Sequence, residues 1–490
     1  MFDYDLVIIG GTPAGRAAAL SATYLQARVA LVEPANDAQD SPLSGVRSPE
    51  GGQSYSQTLA ELGRMVHQQH LLTESGLFGS QNPTAPALLE EAVGWANSVA
   101  SNLEDIHSRA LLASVGVDLI VGAGEFTVKP SLAFQVNGRE LRSRTYLLAT
   151  PSRPFIPDIQ GLSSTGYLTV STVRRLAKLE KLPARLVVIG ADPGGVELAQ
   201  GLARLGVQVT VVVKSTQILA KEDPEAAQLV QVAMEAEGIR ILTQTEVTQA
   251  RKIEDKTWIQ AGNEAIEADQ ILLAAGQGPN FASLNLEVAG VKLNQQQLIL
   301  NKKLQTTNPR IYACGDGGGG YPFVNLAHYE AKIALKNALF LPIFNVNYRG
   351  IPWAIFSDPQ LARVGLTEVQ ARRNYGENIV ISREYFKQVD KAQMQGEITG
   401  FCKLIGRRNG EILGATLVGP QAAELIHPIA LAMRQGLKIQ AIAELPHIWP
   451  SLSEMNQLTA ATWQLKHFRS NLFLHNCLEN LFHWRRYWSI

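Results

Sequence analysis

Residues 5–20 read DLVIIGGTPAGRAAAL. The apolar run 5–9 has the mark of a parallel strand buried on both faces. Gly10 to Gly15 form a glycine-rich turn, and the alanine-rich stretch after it favours a helix. A second apolar run, 29–32 (VALV), ends at Glu33. Strand, glycine turn, helix and an acid at the next strand's end make a dinucleotide-binding unit. Gly10 permits the tight turn, Gly11 and Ala14 keep it open to a ligand, and Gly15 allows the helix to pack closely on the strand. The N–H groups and dipole of the helix start favour a pyrophosphate. Glu33 is placed to accept from ribose hydroxyls. Thr12 stands where the fingerprint has its middle glycine.

The pattern recurs. The run 186–189 (LVVI) leads into Gly190-Ala191-Asp192-Pro193-Gly194-Gly195, then 196–199 (VELA) and the strand 209–213 (VTVVV). Counted from the last glycine, Val213 falls where Glu33 falls in the first unit, and Lys214 follows it. With no acid for a 2′-hydroxyl and a cation beside the site, a 2′-phosphate is favoured, hence NADPH over NADH. Asp192 takes the middle-glycine place, where a pyrophosphate comes nearest. Two like charges about 4 Å apart cost about 4 kcal/mol at an intermediate dielectric. Asp192-Pro193 is equally a good N-cap followed by a good first helical residue. The first site therefore reads as able to bind, and the second as contested.

The rest of the chain sets bounds. At 490 residues it exceeds one ordinary core. With 46% apolar and 18% charged residues it is globular. The formal net charge of zero gives no ground for a nucleic-acid partner. Cys314, Cys402 and Cys477 are far apart and form no CxxC or zinc pattern, so no metal site is expected and a reducing compartment is. The acidic, strand-like N-terminus is not a signal peptide, and no apolar run is long enough to span a bilayer. The expected location is cytoplasmic.

Several further segments resemble one family, the flavoprotein disulfide reductases. Residues 307–316 (TNPRIYACGD) are similar to its second FAD motif, with Gly315 and Asp316 at the place that holds the ribityl chain. Residues 147–151 (LLATP), with Ala149 and Thr150, resemble the strand leaving the FAD domain; 271–280 (ILLAAGQGPN), with Gly276, resembles the strand that returns. Residues 326–328 (LAH), including Ala327 and His328, resemble the segment against the isoalloxazine. Residues 351–368, 414–420 and 424–426 resemble the family's interface domain. The wording around 214–224 is nearest the mercuric reductase and dihydrolipoamide dehydrogenase branch.

The resemblance implies an α/β fold: two Rossmann-like domains, for FAD (1–150 and 276–348) and NAD(P) (151–275). An α+β dimerisation domain (349–465) and a tail (466–490) follow. It implies FAD and NADP as cofactors, and a homodimer in which each active site is completed by its partner.

Two departures stand out. The family needs two cysteines, four residues apart, on a helix against the flavin. Here 33–53 read EPANDAQDSPLSGVRSPEGGQ without one, and 41–56 read as loop. Arg47 is a candidate cation near the flavin, where the family has a lysine paired with the acid matched by Glu197. In 445–454 (LPHIWPSLSE) the dehydrogenases have a catalytic base directly before the second proline. Here that place is Trp449, which cannot titrate, although Glu454 is kept and His447 lies two residues earlier. Glu197, His447 and Glu454 are the candidate catalytic residues.

Without a dithiol there is no thiol proton to manage, so the two losses agree. Dihydrolipoamide, glutathione and mercuric-ion chemistry all use the missing pair. What remains is transfer from NAD(P)H through flavin to a quinone, a nucleotide or an electron carrier. Soluble nicotinamide transhydrogenases, a branch with an incomplete cysteine pair, show that this can work. The alternative is a flavin-binding sensor or assembly protein with a degenerate nicotinamide site. Within 74–116, Ala85-Pro86 is expected to open a long helix with Leu88, Ala92, Trp95 and Val99 facing core or interface. In the tail, Leu474, Leu478, Leu481 and Phe482 share a helical face, followed by Trp484, Arg485, Arg486, Tyr487 and Trp488. That composition suits a membrane interface or a helix docked on the dimer.

Overall fold

The computed structural model of the chain describes residues 2–34, 49–74, 85–106, 108–179, 181–254, 256–318, 323–470 and 472–487. Arg47 and Trp488 lie outside them. The chain divides into two compact units, residues 1–215 with 238–347, and residues 216–237 with 348–490.

The first unit holds two parallel sheets. In one, β1 (Tyr4–Ile9) is flanked by β2 (Val29–Glu33) and by the Ser143–Leu148 strand. β3 (Asp118–Val121) and the Ile311–Ala313 strand form its edges. Leu6 and Ile8 enter one core with Ala14, Ala18 and Leu31, while Val7 and Ile9 enter another with Ala30, Val32 and Tyr146. That alternation explains the unbroken apolar run, since both faces of the strand are covered. Each such side chain contributes about 1.5–3 kcal/mol on burial.

The second sheet repeats the plan. Arg185–Ile189 lies between Gln208–Val212 and Gln270–Leu273, with Arg240–Leu242 and Leu168–Thr169 outside them. Helix α1 (Pro13–Tyr24) and the Pro193–Arg204 helix are the corresponding crossovers, each 12 residues long with proline at its start.

Two expectations are corrected here. Residues 49–56 are not loop: α2 runs from Pro49 to Glu74. Its interior glycine is used at a helix crossing. A Cβ on Gly63 would lie 2.7 Å from the Gly201 carbonyl oxygen, and one on Gly201 would lie 2.7 Å from Ala60 Cα. Tertiary packing of small residues here outweighs helix propensity. Helix α3 (Ala85–Ile106) forms as expected, but Leu89, Ala92, Val93, Ala96 and Ala100 are its buried positions, and Trp95 faces solvent, 61% exposed. Arg174 binds α3 from the 3₁₀ helix Val170–Lys178, donating to Asn97 Oδ1 (2.8 Å), Ser101 Oγ (2.7 Å) and Glu104 Oε1 (2.8 Å).

The second unit is built on an antiparallel sheet in the order Pro352–Ile355, Gln360–Gly365, Ile412–Gly419, Phe401–Arg407, Ile379–Tyr385. The Ala422–Arg434 and Glu454–Ser470 helices contribute to its core, which includes the fully buried Trp463. The segment 216–237, with its Pro224–Ala236 helix, belongs to this unit through buried ion pairs. Arg363 Nε donates to Glu222 Oε2 at 2.7 Å, and Lys403 Nζ to Asp223 Oδ1 at 3.0 Å. A final helix, Leu472–Tyr487, ends the described chain, with Leu481, Phe482, Trp484 and Tyr487 exposed.

Candidate functional site

The first turn has the geometry a dinucleotide needs. Gly10 has φ +117°, and a Cβ there would lie 2.1 Å from the Ala149 carbonyl oxygen. A Cβ on Gly11 would meet the Glu33 carboxylate at 2.3 Å, and one on Gly15 the Gly10 oxygen at 2.2 Å. Thr12 caps α1, its hydroxyl accepting from Gly15 N (3.2 Å) and donating to the Ala149 carbonyl oxygen (2.9 Å). Ala14 sits buried in the helix's first turn. Glu33 is 2% exposed and doubly paired: Arg16 Nε donates to one oxygen at 2.9 Å and Arg109 Nε, from α4 (Arg109–Ser114), to the other at 2.7 Å. A carboxylate has further lone pairs, so two arginines leave acceptor capacity for a ribose. Thr150 Oγ1 is buried with no hydrogen-bond partner among the described residues. The glycine cradle and this orphan hydroxyl fit the adenosine and pyrophosphate of FAD.

The other FAD candidates cluster at the end of the same sheet. Gly315 has φ +72° and donates from its N–H to Glu330 Oε2 at 2.7 Å. Asp316 Oδ2 accepts from Ser152 Oγ at 2.6 Å. Ala327 and His328 are half-buried in the first turn of the Val324–Leu339 helix, and Ala327 Cβ would be 3.2 Å from a Cβ on Gly315.

The second turn copies the first. Gly190 has φ +95°, and its missing Cβ would lie 2.3 Å from the Ala274 carbonyl oxygen. A Cβ on Gly195 would lie 2.2 Å from the Ala274 methyl. Asp192 caps the helix, accepting from Gly195 N at 2.9 Å. Burial pushes the Asp192 carboxyl up to about 6, against the opposing pull of the Gly195 and Gly276 N–H groups. Lys214, the expected 2′-phosphate cation, is exposed and donates to Glu246 Oε1 at 2.6 Å. Such a surface pair is worth about 0–1 kcal/mol, so it holds the lysine only weakly.

Glu197 is buried on the Pro193–Arg204 helix, which packs against α2. The three cysteines are free thiols. Cys314 lies in the core beneath the first sheet and Cys402 in the core of the second unit. Burial raises the Cys314 thiol far above its ordinary value and pushes Cys402 up to about 12. Cys477 is exposed on the last helix.

In the second unit, His447 Nδ1 lies 3.0 Å from Ser453 Oγ, and Ser451 N donates to Glu454 Oε1 at 3.4 Å. Burial lowers the His447 pKa, opposed by the Glu454 charge. Thus His447 and Glu454 share a cluster, linked through Ser453 and Ser451 on the segment that leads into the helix opening at Glu454. Trp449 is 66% exposed and donates from Nε1 to Asp390 Oδ2 at 2.9 Å.

The sequence missed Arg16, Arg109, Ser152 and Glu330. Arg16 follows the last glycine of the turn and was visible. The others are brought in by folding from 76, 164 and 15 residues away in sequence.

The profile described as pyridine nucleotide-disulphide oxidoreductase matches residues 4–331, and that of the same family's dimerisation domain matches residues 351–460. Mercuric reductase of Staphylococcus aureus is 32% identical over 473 residues, covering 94% of this chain and 82% of that one. Dihydrolipoyl dehydrogenase of Thermus scotoductus is 31% identical over 463 residues, covering 93% and 96%. Among solved structures, the Cu(II) complex of the HOCl-induced flavoprotein disulfide reductase RclA from Escherichia coli superposes with TM-score 0.80 at 25% identity, covering 94% of this chain and all of that one.

Proposed function

From the premise that this chain belongs to the pyridine nucleotide-disulphide oxidoreductase family, whose members bind FAD and NAD(P), we propose a flavin-dependent NAD(P)H oxidoreductase that works without a redox disulfide. FAD held at the first turn would supply a two-electron carrier between the nicotinamide and an acceptor. Gly10, Gly11 and Gly15 keep the turn open, Glu33 takes the adenosine ribose, Thr150 Oγ1 finds its missing partner, and Asp316 orients the ribityl chain. NAD(P)H gives up two electrons and one proton; a quinone would take these with a second proton from solvent, an oxidised nucleotide would take them as a hydride, and an electron carrier would take the electrons while the proton goes to solvent. A quinone, an oxidised nucleotide or a carrier protein leaves reduced.

The observation that carries this reading is the placement of sulfur. Cys314 and Cys402 are buried in different cores, and Cys477 sits on the terminal helix, so no two thiols are paired. The family's dimerisation domain supports a homodimer. His447 and Glu454 would then serve as proton-handling groups near the acceptor. The test is an anaerobic titration of the yellow protein with NADH and NADPH, followed at the flavin band, then addition of quinones and oxidised nucleotides. A flavin that neither nicotinamide reduces would sink the proposal.

That failure would favour a second reading, a flavin-holding protein without nicotinamide turnover. Asp192 is the feature behind it, because an ionised carboxylate occupies the helix start that a pyrophosphate needs.

A further inference from the structure

Thr12 and Asp192 are the same position in two copies of one turn. Their backbones have φ/ψ of −69°/163° and −68°/163°. Both accept from the N–H of the glycine three residues on, at 3.2 and 2.9 Å. Both precede a proline that starts a 12-residue helix. They differ in what else the side chain offers. Thr12 carries one O–H that donates, here to Ala149 O. An ionised Asp192 has no proton to donate and adds a negative charge. A protonated Asp192 is neutral, still offers an oxygen to the backbone N–H groups of Gly195 and Gly276, and gains one O–H that can donate, as that of Thr12 does. Only in that form does the second turn match the first in charge and hydrogen-bonding capacity.

We propose that Asp192 couples nicotinamide dinucleotide binding to the uptake of one proton, so that the second site accepts its ligand only with this carboxyl in the acid form. The proposal rests on the reading that the second turn is the nicotinamide site. Burial already holds the Asp192 carboxyl at about 6 without a ligand. An arriving pyrophosphate raises it further, since two like charges about 4 Å apart cost about 4 kcal/mol at an intermediate dielectric.

The charged groups on neighbouring elements do not compete for this role. Lys214 is turned to Glu246, Arg174 to Glu104, and Arg64 of α2 to Glu61. Neither these nor Glu197, Arg175, Lys178, Arg204, His67 and His70 contribute to the shift at Asp192, which comes from burial and two backbone N–H groups alone. Linkage fixes the sign. The ligated form binds more protons than the free form, so affinity is greatest at low pH. It falls about tenfold per pH unit once the free carboxyl has ionised, until the pKa of the complex is reached.

NAD⁺ is the probe, because it cannot reduce the oxidised flavin and its pyrophosphate does not titrate in this range, whereas the 2′-phosphate of NADP⁺ does. Calorimetric titrations of the FAD-loaded protein run from about pH 6 to about pH 8, in two buffers of different ionisation enthalpy. The expected result is a roughly fiftyfold loss of affinity across that range, with proton uptake approaching one per NAD⁺ at its upper end. Asp192→Asn keeps a good N-cap and should bind with pH-independent affinity near the wild-type value at about pH 6. Wild-type affinity that is flat in pH, or an Asp192→Asn variant that retains the slope, overturns the coupling. If wild type, Asp192→Asn and Asp192→Gly all keep FAD yet fail to bind NAD⁺ at any pH, the nicotinamide-site reading falls and the coupling falls with it.

Discussion

Arg109 Nε donates to Glu33 Oε2 at 2.7 Å while Arg16 Nε holds Oε1 at 2.9 Å, so the acid at the end of β2 is clamped from both sides. A buried carboxylate that is clamped presents its remaining lone pairs to a ribose in one orientation. Removing Arg109 leaves Glu33 buried with one counter-charge. Charge-assisted hydrogen bonds contribute roughly 1.5–3 kcal/mol, and Arg109 is partly exposed, so the low end applies. Arg109→Ala is expected to weaken FAD binding about tenfold, measured by titrating apoprotein with FAD. An unchanged dissociation constant would remove the clamp from the account of the site.

The crossing of α2 with the Pro193–Arg204 helix depends on the absence of one methyl group. At Gly63 a Cβ would meet backbone, the Gly201 oxygen at 2.7 Å, which cannot swing aside as a side chain can. Gly63→Ala is expected to destabilise the first unit by about 1–3 kcal/mol despite alanine's better helix propensity. Thermal unfolding gives the answer, and a gain in stability would show that the crossing has slack.

How much of this could be read from the chain varies with the distance over which residues cooperate. Gly10, Thr12, Gly15 and Glu33 act within one strand–turn–helix–strand unit, so their spacing alone reveals them, and Asp192 follows by comparison with Thr12. Arg109 is invisible in that way, because nothing local ties α4 to Glu33. The reading of 49–56 as loop followed local propensity, whereas the helix forms because its small residues fit the neighbouring helix. Trp95 misled for a related reason. Apolar spacing placed it on the buried stripe of α3, but Ala92, Val93, Ala96 and Ala100 define that stripe and leave the large indole outside. The placement of 216–237 with the C-terminal sheet rests on pairs separated by 141 and 180 residues, beyond any local pattern.

Sulfur chemistry can be tested directly. Cys314 and Cys402 are buried with raised thiol pKa values, and only Cys477 is exposed. Iodoacetamide on the native protein is expected to add one label per chain, at Cys477, and three after denaturation. Turnover with NAD(P)H and any acceptor should be indifferent to that single label. Inactivation that tracks labelling would bring a thiol back into the reaction.

The ion pair Glu222–Arg363 is buried on both sides, and Arg363 also lies over the Trp353 ring at 4.2 Å. Removing one partner strands the other charge inside the second unit. Glu222→Leu or Arg363→Met alone is expected to cost about 3–5 kcal/mol. Glu222→Leu with Arg363→Met should recover a large part of it, because no buried charge is left over. Urea unfolding of the four proteins measures the coupling. Additive losses would mean that the two side chains act independently.

Asp192 also makes a prediction about stability that needs no ligand. Its folded pKa of about 6 lies above the ordinary value of 3.8, so the folded state binds more protons than the unfolded chain between those pH values. Stability therefore falls as pH rises from about 4 to about 6 and stays lowered above that. A shift of about two units corresponds to roughly 3 kcal/mol, and partial solvent access at this half-buried residue reduces it to about 1–2 kcal/mol. Asp192→Asn keeps the cap and removes the ionisation, so its stability curve should meet the wild type's near pH 4 and rise above it by that amount near pH 8. Calorimetry of the FAD-loaded proteins across this range decides it. A gap of constant size at every pH would credit asparagine as the better cap, and the buried acid would then carry no cost.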